Sequence, residues 1–305
     1  MTDEMRMRYL SRPAPGAKVI LDTDTYNEID DQFALSYLVK LAKFDIRGFT
    51  AAPFFNDRSS SPEDGMVKSY DEIRKLLAFL GADYPVFEGS RSYLPDEKTP
   101  VDSPAARFIR DTALSMPEGE PLYVAAIGAV TNVASAVLLD PRVADRMTLV
   151  WLGGNALDWP DNREFNLFQD VAAARVVLGC GMPVVLLPCM GVVSSFVSTR
   201  YELEHFFLGK NPLADYLCRN TVEYTEMRNP LPCWSKQIWD AAAIGWLAGE
   251  GFMRDKLVPA PIPEPDGHWA FDPHRPLIRV VTYIERDRLF ADLVEKITGE
   301  KLRNK

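Results

Sequence analysis

The sequence predicts an α/β protein, built as a single domain with a mostly parallel central sheet flanked by helices. Two observations predict it. Apolar runs of strand length alternate with helical patterns along the chain, and strands separated by helices pair in parallel. Polar side chains also follow the ends of several apolar runs, where α/β proteins bind ligands. We expect residues 1–305 to form one domain, with residues 1–16 as an extended N-terminal arm.

The first half of the chain contains four strand-like runs, each followed by a helical pattern or a polar loop. The apolar run at 19–21 predicts a buried strand, and the helix after it has apolar residues mostly on one face. Further strands are predicted at 45–52, 85–87 and 121–126, and further helices at 63–80, 105–115 and 132–139. The segment 89–104 is polar and is predicted to be a loop.

The second half continues the alternation and then becomes mostly helical. Strands are predicted at 147–152, 183–187 and 277–283, and helices at 170–178 and 287–297. The region 199–250 has a mostly helical pattern, and the Pro-rich segment 261–276 is predicted to be a loop.

Composition excludes several classes of function. The 305 residues are 47% hydrophobic, which is enough for a sizeable core. A net charge of −9 without a basic run argues against nucleic-acid binding, and no apolar run reaches membrane-spanning length. The start of the chain lacks the apolar core of a signal peptide, and the four cysteines lack a paired metal-binding spacing. These features predict a cytoplasmic protein with reduced thiols.

Four aspartates fall within ten residues between the first strand and the first helix: Asp22, Asp24, Asp30 and Asp31. Carboxylates this close repel one another, which raises their pKa values or requires a cation. Ca²⁺ or Mg²⁺ would neutralise them through oxygen ligands. Helix capping explains one or two acids at a helix N-terminus, but not four. We therefore predict a metal site here.

The same stretch resembles the signature of the inosine–uridine nucleoside hydrolase family: an apolar strand, Asp-x-Asp, a loop, and Asp-Asp before an apolar helix. The resemblance implies a nucleoside hydrolase-like fold with a Rossmann-like core. It also implies an N-ribohydrolase that cleaves the N-glycosidic bond of ribonucleosides with a Ca²⁺-bound water, and a homodimer or homotetramer. Residues 25–29 depart from the family, whose loop here has three residues and contains Pro-Gly.

Further motifs extend the resemblance and imply the metal ligands. The segment Ile127-Gly-Ala-Val-Thr-Asn resembles a family turn whose Thr gives its carbonyl oxygen to Ca²⁺. By this match Asp24 is a metal ligand and the general base, Asp31 is the main metal carboxylate, and Thr131 and Asp240 complete the ligands. Thr131 or the next residue is alternatively an ordinary helix N-cap. Asp22 is the aspartate most suited to a structural role.

The segment Arg163-Glu-Phe-Asn166 resembles the Ala-Glu-Phe-Asn of the family and implies the substrate contacts. Four residues would hold the ribose: Asp30, Asn56, Glu164 and Asn166. Asn155 and Asn162 are both candidates for the contact to the 5′-hydroxyl. Asn56 is alternatively a turn residue.

Trp239 precedes Asp240 where many family members have a His that protonates the leaving base. A Trp here resembles the purine-preferring branch, in which the indole stacks on the base, so a purine preference is expected. The alternative is that Trp239 is a core residue.

Two other classes of function fit parts of the sequence. The longer loop at 25–29 and the missing His suggest a non-catalytic, Ca²⁺-dependent ribose- or nucleoside-binding relative, or an enzyme for an unusual ribosyl compound. A Mg²⁺-dependent phosphatase of the haloacid-dehalogenase type would also open with a strand and Asp-x-Asp, here Asp22 and Asp24. Tyr26 stands where that class has Thr or Val, which makes the phosphatase the weaker alternative.

Overall fold

The computed structural model describes residues 1–249 and 251–302. Its first half contains α1 (Asp3–Tyr9), β1 (Lys18–Thr23), α2 (Asp31–Leu41), β2 (Asp45–Ala51), α3 (Pro62–Leu80), β3 (Val86–Phe87), α4 (Pro104–Leu114), β4 (Leu122–Ala126) and α5 (Thr131–Leu139). The next elements are β5 (Met147–Leu152), α6 (Phe165–Gln169), α7 (Val171–Gly179), β6 (Val184–Leu187), β7 (Val197–Thr199), α8 (Arg200–Phe206), α9 (Pro212–Arg228), β8 (Ser235–Gln237) and α10 (Ala241–Ala248). The last are β9 (Met253–Pro259), β10 (Ile262–Pro263), β11 (Trp269–Ala270), β12 (Leu277–Ile284) and α11 (Arg286–Thr298).

One eight-stranded sheet organises the molecule, in the order β3-β2-β1-β4-β5-β6-β12-β9. Every neighbouring pair from β3 to β12 is parallel, and only the edge strand β9 runs antiparallel to β12. The prediction of a single-domain α/β fold with a mostly parallel sheet is therefore confirmed.

Side chains alternate between two apolar cores, one on each face of the sheet. Val19 and Leu21 of β1 belong to one core, and Ile20 between them belongs to the other. Helices α2, α3 and α10 cover the first face, and α4, α5 and α7 cover the second. With both faces covered, a ligand reaches the sheet only at its ends, and β1, β4 and β5 end side by side at one edge.

Several elements differ from the sequence-based expectation. The N-terminal arm is not extended over residues 3–9, which form α1 with Tyr9 and the following Leu10 buried. The 199–250 region contains the short strands β7 and β8 besides its helices, and its predicted end at Glu250 lies outside the described residues. The 261–276 segment is not wholly a loop, because β10 and β11 form an antiparallel hairpin within it. In the described part of the chain, no helix is long and apolar enough to cross a membrane.

Candidate active site

Asp24 follows β1 directly and is completely buried. Neither of its carboxylate oxygens has a hydrogen-bond partner among the described residues. Gly128, after β4, packs against it so closely that a Cβ there would lie 3.0 Å from Asp24 Cγ. A buried charge without donors is unfavourable, so this carboxylate is suited to a cation rather than to the apolar core.

Three further aspartates converge at the same edge. One carboxylate oxygen each from Asp30, Asp31 and Asp240 lies within 4.8 Å of the other two. Asp30 and Asp240 are N-cap residues of α2 and α10, yet neither side chain makes a capping hydrogen bond. Helix capping therefore does not account for these acids. Asp30, expected from the resemblance at the ribose, belongs to this group, and Asp24 lies outside it.

The electrostatics of the acids reflect burial and mutual repulsion. Burial, and then the charge of Asp31, raise the pKa of Asp24 well above its usual value. Burial and Asp30 raise the pKa of Asp31 to about 7, although Thr23 Oγ1 donates to Asp31 Oδ1 at 2.5 Å. Burial also raises the pKa of Asp240, with Asp30 as the next cause.

Lys236 opposes this negative charge from one side. Its ammonium lowers the pKa of Asp30, although burial raises it more, and it forms an ion pair with Glu28. The Lys236 side chain is only 12% exposed. One ammonium does not balance four buried aspartates.

The residues fit a divalent cation. Ca²⁺ binds oxygen ligands at about 2.3–2.6 Å, so two oxygens on one ion are at most about 5 Å apart. The three-aspartate group meets that limit, and both oxygens of Asp24 and Oδ2 of Asp30 are acceptors that no donor uses in the described part of the chain. A carboxylate-rich donor set of this kind suits a hard cation.

One oxygen of Asp22 and the side chains that begin α5 have structural partners, whereas Asp22 Oδ2 has no partner among the described residues. Asn132 Nδ2 donates to Asp22 Oδ1, and Asn132 Oδ1 accepts from Ser90. Thr131 Oγ1 donates to Asp170 Oδ2 at 2.7 Å, and the N-cap position belongs to Val130. The alternative that Thr131 or Asn132 caps this helix is therefore wrong.

A pocket of about 300 Å³ opens beside the acids. Asp30, Asp240, Asn56, Asn155, Glu164, Asn166 and Trp239, all predicted from the sequence, line it. Its lining also includes residues that the sequence reasoning missed: Asn27, Glu28, Arg163, Phe165, Cys189 and Met190. None of the three histidines, all of which are described, lines this pocket.

Hydrogen bonds to backbone groups hold the side chains of Glu164 and Asn166 in place. Glu164 Oε1 accepts from the backbone N–H of Asn166, and Oε2 accepts from those of Gly154 and Leu167. Burial raises the pKa of Glu164 despite these donors. Asn166 Nδ2 donates to the carbonyl oxygens of Ile127 and Leu152, just after β4 and at the end of β5.

Of the three asparagines predicted to contact the substrate outside the Glu-Phe-Asn segment, two line the pocket and one does not. Asn155 lines the pocket, but Asn162 does not; Asn162 Oδ1 accepts from the backbone N–H of Asn155 and shapes its loop. Asn56 Oδ1 accepts from the backbone N–H of Arg58, and its Nδ2 donates to Asn27 Oδ1 at 2.6 Å. The amide of Asn56 is thus engaged on both sides.

The place of Cys189 and Met190 in the pocket could have been predicted from their position in the sequence. Both follow β6 closely, and residues after parallel strands gather at the ligand-binding edge. Burial, followed by the charge of Glu164, raises the pKa of the Cys189 thiol, so the pocket presents it as a neutral group.

A buried acidic centre suited to a cation, beside a pocket lined with polar and apolar side chains, is the arrangement expected of a metal-dependent hydrolase. The profile of the family described as inosine-uridine preferring nucleoside hydrolase matches residues 19–291. The chain belongs to this family, and it is an enzyme of the N-ribohydrolase class. Membership rules out the phosphatase alternative.

Individual relatives agree with the family assignment. A probable uridine nucleosidase 2 of Arabidopsis thaliana is 27% identical over 226 residues, which are 66% of this chain and 68% of that protein. Among solved structures, a plant nucleoside hydrolase superimposes with a TM-score of 0.76 at 22% identity, covering 94% of this chain and 100% of the other. A purine-preferring ribonucleoside hydrolase of Gardnerella vaginalis gives 0.75 at 18% identity, covering 92% and 98%.

Proposed function

We propose that this protein hydrolyses the N-glycosidic bond of ribonucleosides to ribose and a free base, in a Ca²⁺-dependent reaction. One observation carries the proposal: the buried Asp24, with no donor on either oxygen among the described residues, lies at the same sheet edge as a three-aspartate group and a pocket lined with polar and apolar side chains.

The cation would be held by Asp24, Asp31, Asp240 and the carbonyl oxygen of Thr131. Asp30 would be a further ligand, because one of its carboxylate oxygens lies within 4.8 Å of oxygens of Asp31 and Asp240. A Ca²⁺ ion held there would lower the pKa of a bound water molecule and orient it for attack on the sugar. Asp24 would accept the proton of the attacking water, because no donor among the described residues occupies either of its carboxylate oxygens.

The ribose would be held by Asp30, Glu164 and Asn166, all of which line the pocket. Hydrolysis passes through an oxocarbenium-like transition state, whose positive charge the surrounding carboxylates stabilise. Asn155 is the better candidate for the 5′-hydroxyl, because it lines the pocket and Asn162 does not.

Trp239 supports a preference for purine bases. The indole is half-buried and lines the pocket with Phe165 and Met190, so a flat base has an aromatic face and apolar neighbours. Stacking areas are larger for purines than for pyrimidines, so we expect purine ribonucleosides to react faster.

The test is release of the free base from a panel of ribonucleosides, measured with EDTA and after addition of Ca²⁺ or Mg²⁺. Release that EDTA abolishes and Ca²⁺ restores supports the proposal, and the panel ranks purines against pyrimidines. Restoration by Mg²⁺ but not by Ca²⁺ contradicts the metal assignment. Ca²⁺-dependent ribose binding without base release would favour the binding-protein alternative.

We also propose a homo-oligomer located in the cytoplasm. Large apolar side chains such as Tyr201, Met227 and Leu231 are 73%, 75% and 62% exposed, and burial in a subunit interface would remove them from water. Sedimentation velocity distinguishes a dimer or tetramer from the monomer that would contradict the proposal. Cell fractionation tests the location.

A further inference from the structure

The loop at 25–29 contributes Asn27 to the lining of the pocket. Asn27 is 7% exposed, lines the pocket together with Asp30, and its backbone N–H donates to the carbonyl oxygen of Asp24 at 2.7 Å. A side chain this deeply buried is expected to have partners for its polar atoms.

Only one end of the Asn27 amide has such a partner. Its Oδ1 accepts from Asn56 Nδ2, and its Nδ2 has no acceptor among the residues that the structure describes. An amide nitrogen carries two donor hydrogens. Asn27 therefore presents an unused donor in the wall of the pocket.

The loop is held firmly, so the donor is positioned before any ligand arrives. Gln32 Nε2 donates to the Thr25 carbonyl oxygen, and Arg58 Nη1 donates to the Glu28 carbonyl oxygen at 2.9 Å. The Arg58 guanidinium also lies over the Tyr26 ring at 4.3 Å from its centroid. Preorganised groups of this kind lose little freedom when a ligand binds.

We propose that Asn27 is a specificity-determining residue that donates a hydrogen bond to a hydroxyl oxygen of the ribose, and that Asn56 is a positioning residue acting through it. The proposal rests on the proposed function. An ionised carboxylate only accepts hydrogen bonds and an amide nitrogen only donates them, so Asp30 and Asn27 together match a hydroxyl group, which does both. Asn56, with its amide engaged by Arg58 and Asn27, orients the amide of Asn27.

The experiment is a double-mutant cycle measured as kcat/KM on a ribonucleoside, with Asn27→Ala, Asn56→Ala and the double variant. We expect Asn27→Ala to lower kcat/KM on the order of 10-fold, and the double variant to lose no more than Asn27→Ala alone. Losses that multiply in the double variant would overturn the assignment, because they indicate independent contacts. An unchanged Asn27→Ala enzyme would overturn it as well.

A panel of 2′-deoxy, 3′-deoxy and 5′-deoxy nucleosides identifies the hydroxyl. Asn27→Ala should not lower kcat/KM for the one analogue that lacks the partner hydroxyl. If Asn27 had only a structural role, kcat/KM would fall equally for the parent nucleoside and all three analogues. Asn27→Asp keeps the oxygen that accepts from Asn56 and removes the donor, so it tests the contact if the Ala variant does not fold. Asn220→Ala, a half-buried position on α9, is the matched control.

Failure of the proposed function is distinguishable from failure of this inference. If the unsubstituted protein releases no base, calorimetric binding of the ribonucleoside and its deoxy analogues provides the same comparison. Weaker binding in Asn27→Ala that is confined to hydroxyl-bearing ligands supports the contact. Equal binding by both proteins contradicts it.

Discussion

Asn132 Nδ2 lies 2.8 Å from Asp22 Oδ1, which ties the first turn of α5 to the end of β1. Thr50 Oγ1 of β2 donates to the same oxygen at 2.6 Å. Asp24, only two residues later, has no donor on either oxygen among the described residues. One short stretch thus carries a carboxylate that joins three elements and another whose oxygens are available to a cation.

The first prediction concerns Asp24→Asn, which removes the charge without changing the volume. We expect base release to fall about 100- to 10,000-fold, the usual contribution of a general acid or base. The melting temperature without metal should stay unchanged or rise, because a buried charge without a donor opposes folding. Steady-state kinetics with saturating Ca²⁺ and thermal unfolding in EDTA measure the two effects.

The companion variant Asp22→Ala should, in contrast, have a lower free energy of unfolding than the unsubstituted protein. It leaves the buried donors of Thr50 and Asn132 without their acceptor, which costs about 1–3 kcal/mol of unfolding free energy. Denaturant unfolding measures the loss. The division of roles would be wrong if Asp24→Asn were the less stable of the two variants.

The second prediction concerns the metal. Calcium should raise the melting temperature, because a ligand that binds only the folded state stabilises it. Asp240→Asn should weaken Ca²⁺ binding by at least about 10-fold, because even the loss of a group that only orients a metal ligand typically weakens metal binding about 10- to 100-fold. Calorimetric titration of the metal-free protein measures the affinity, and wild-type affinity in Asp240→Asn would contradict the ligand assignment.

The third prediction is the pH dependence of that affinity. Burial and Asp30 raise the pKa of Asp31 to about 7, so in the metal-free protein this carboxyl gains a proton as the pH falls below 7. Calcium must then displace the proton, and its affinity should fall as the pH decreases from 8 to 6. Proton release on binding, measured in two buffers of different ionisation enthalpy, checks the cause. A constant affinity over this range would contradict it.

The central strands could be predicted from sequence because their apolar runs are local signals. β9 could not, because Met253–Pro259 has a mixed polar pattern and its place depends on antiparallel pairing with β12, a partner distant in sequence. The hairpin of β10 and β11 has two residues per strand, too short for any periodicity. Helix α1 lies in a segment whose charge and prolines suggested an arm, yet its end is buried at Tyr9.

The same limit applies to the candidate site: residues in local motifs could be predicted from the sequence, whereas residues positioned by distant contacts could not. The aspartates and the Glu-Phe-Asn segment were predicted because they stand in recognisable motifs, and in the structure one pocket is lined by Asp30, Asp240, Glu164 and Asn166. Asn27 had no such signal, because its orientation depends on Asn56, 29 residues away. Lys236 likewise forms an ion pair with Glu28, which lies 208 residues earlier in the sequence.

The fourth prediction concerns Trp239. In Trp239→Ala we expect kcat/KM for inosine and adenosine to fall about 10- to 100-fold, from the loss of about 1–3 kcal/mol of stacking. The fall for uridine and cytidine should be smaller, because a single ring covers less of the indole. Trp239→Phe keeps an aromatic face and should retain most of the purine rate. Equal losses for purines and pyrimidines would mean that Trp239 packs the core rather than the base.

The fifth prediction uses the close packing of Gly128 against Asp24. A Cβ at Gly128 would lie 3.0 Å from Asp24 Cγ and 3.1 Å from its Oδ1, so Gly128→Ala must push the carboxylate aside. Displacing a reacting group by about 1 Å costs about 100-fold in rate, and a shift of a few tenths should cost several-fold. We therefore expect kcat to fall while the protein remains folded. Gly179→Ala, whose Cβ would meet only an ordinary contact at 3.5 Å, is the matched control and should keep full activity. If Gly128→Ala were as active as this control, the position of the Asp24 carboxylate would not limit the reaction, and its role as general base would be wrong.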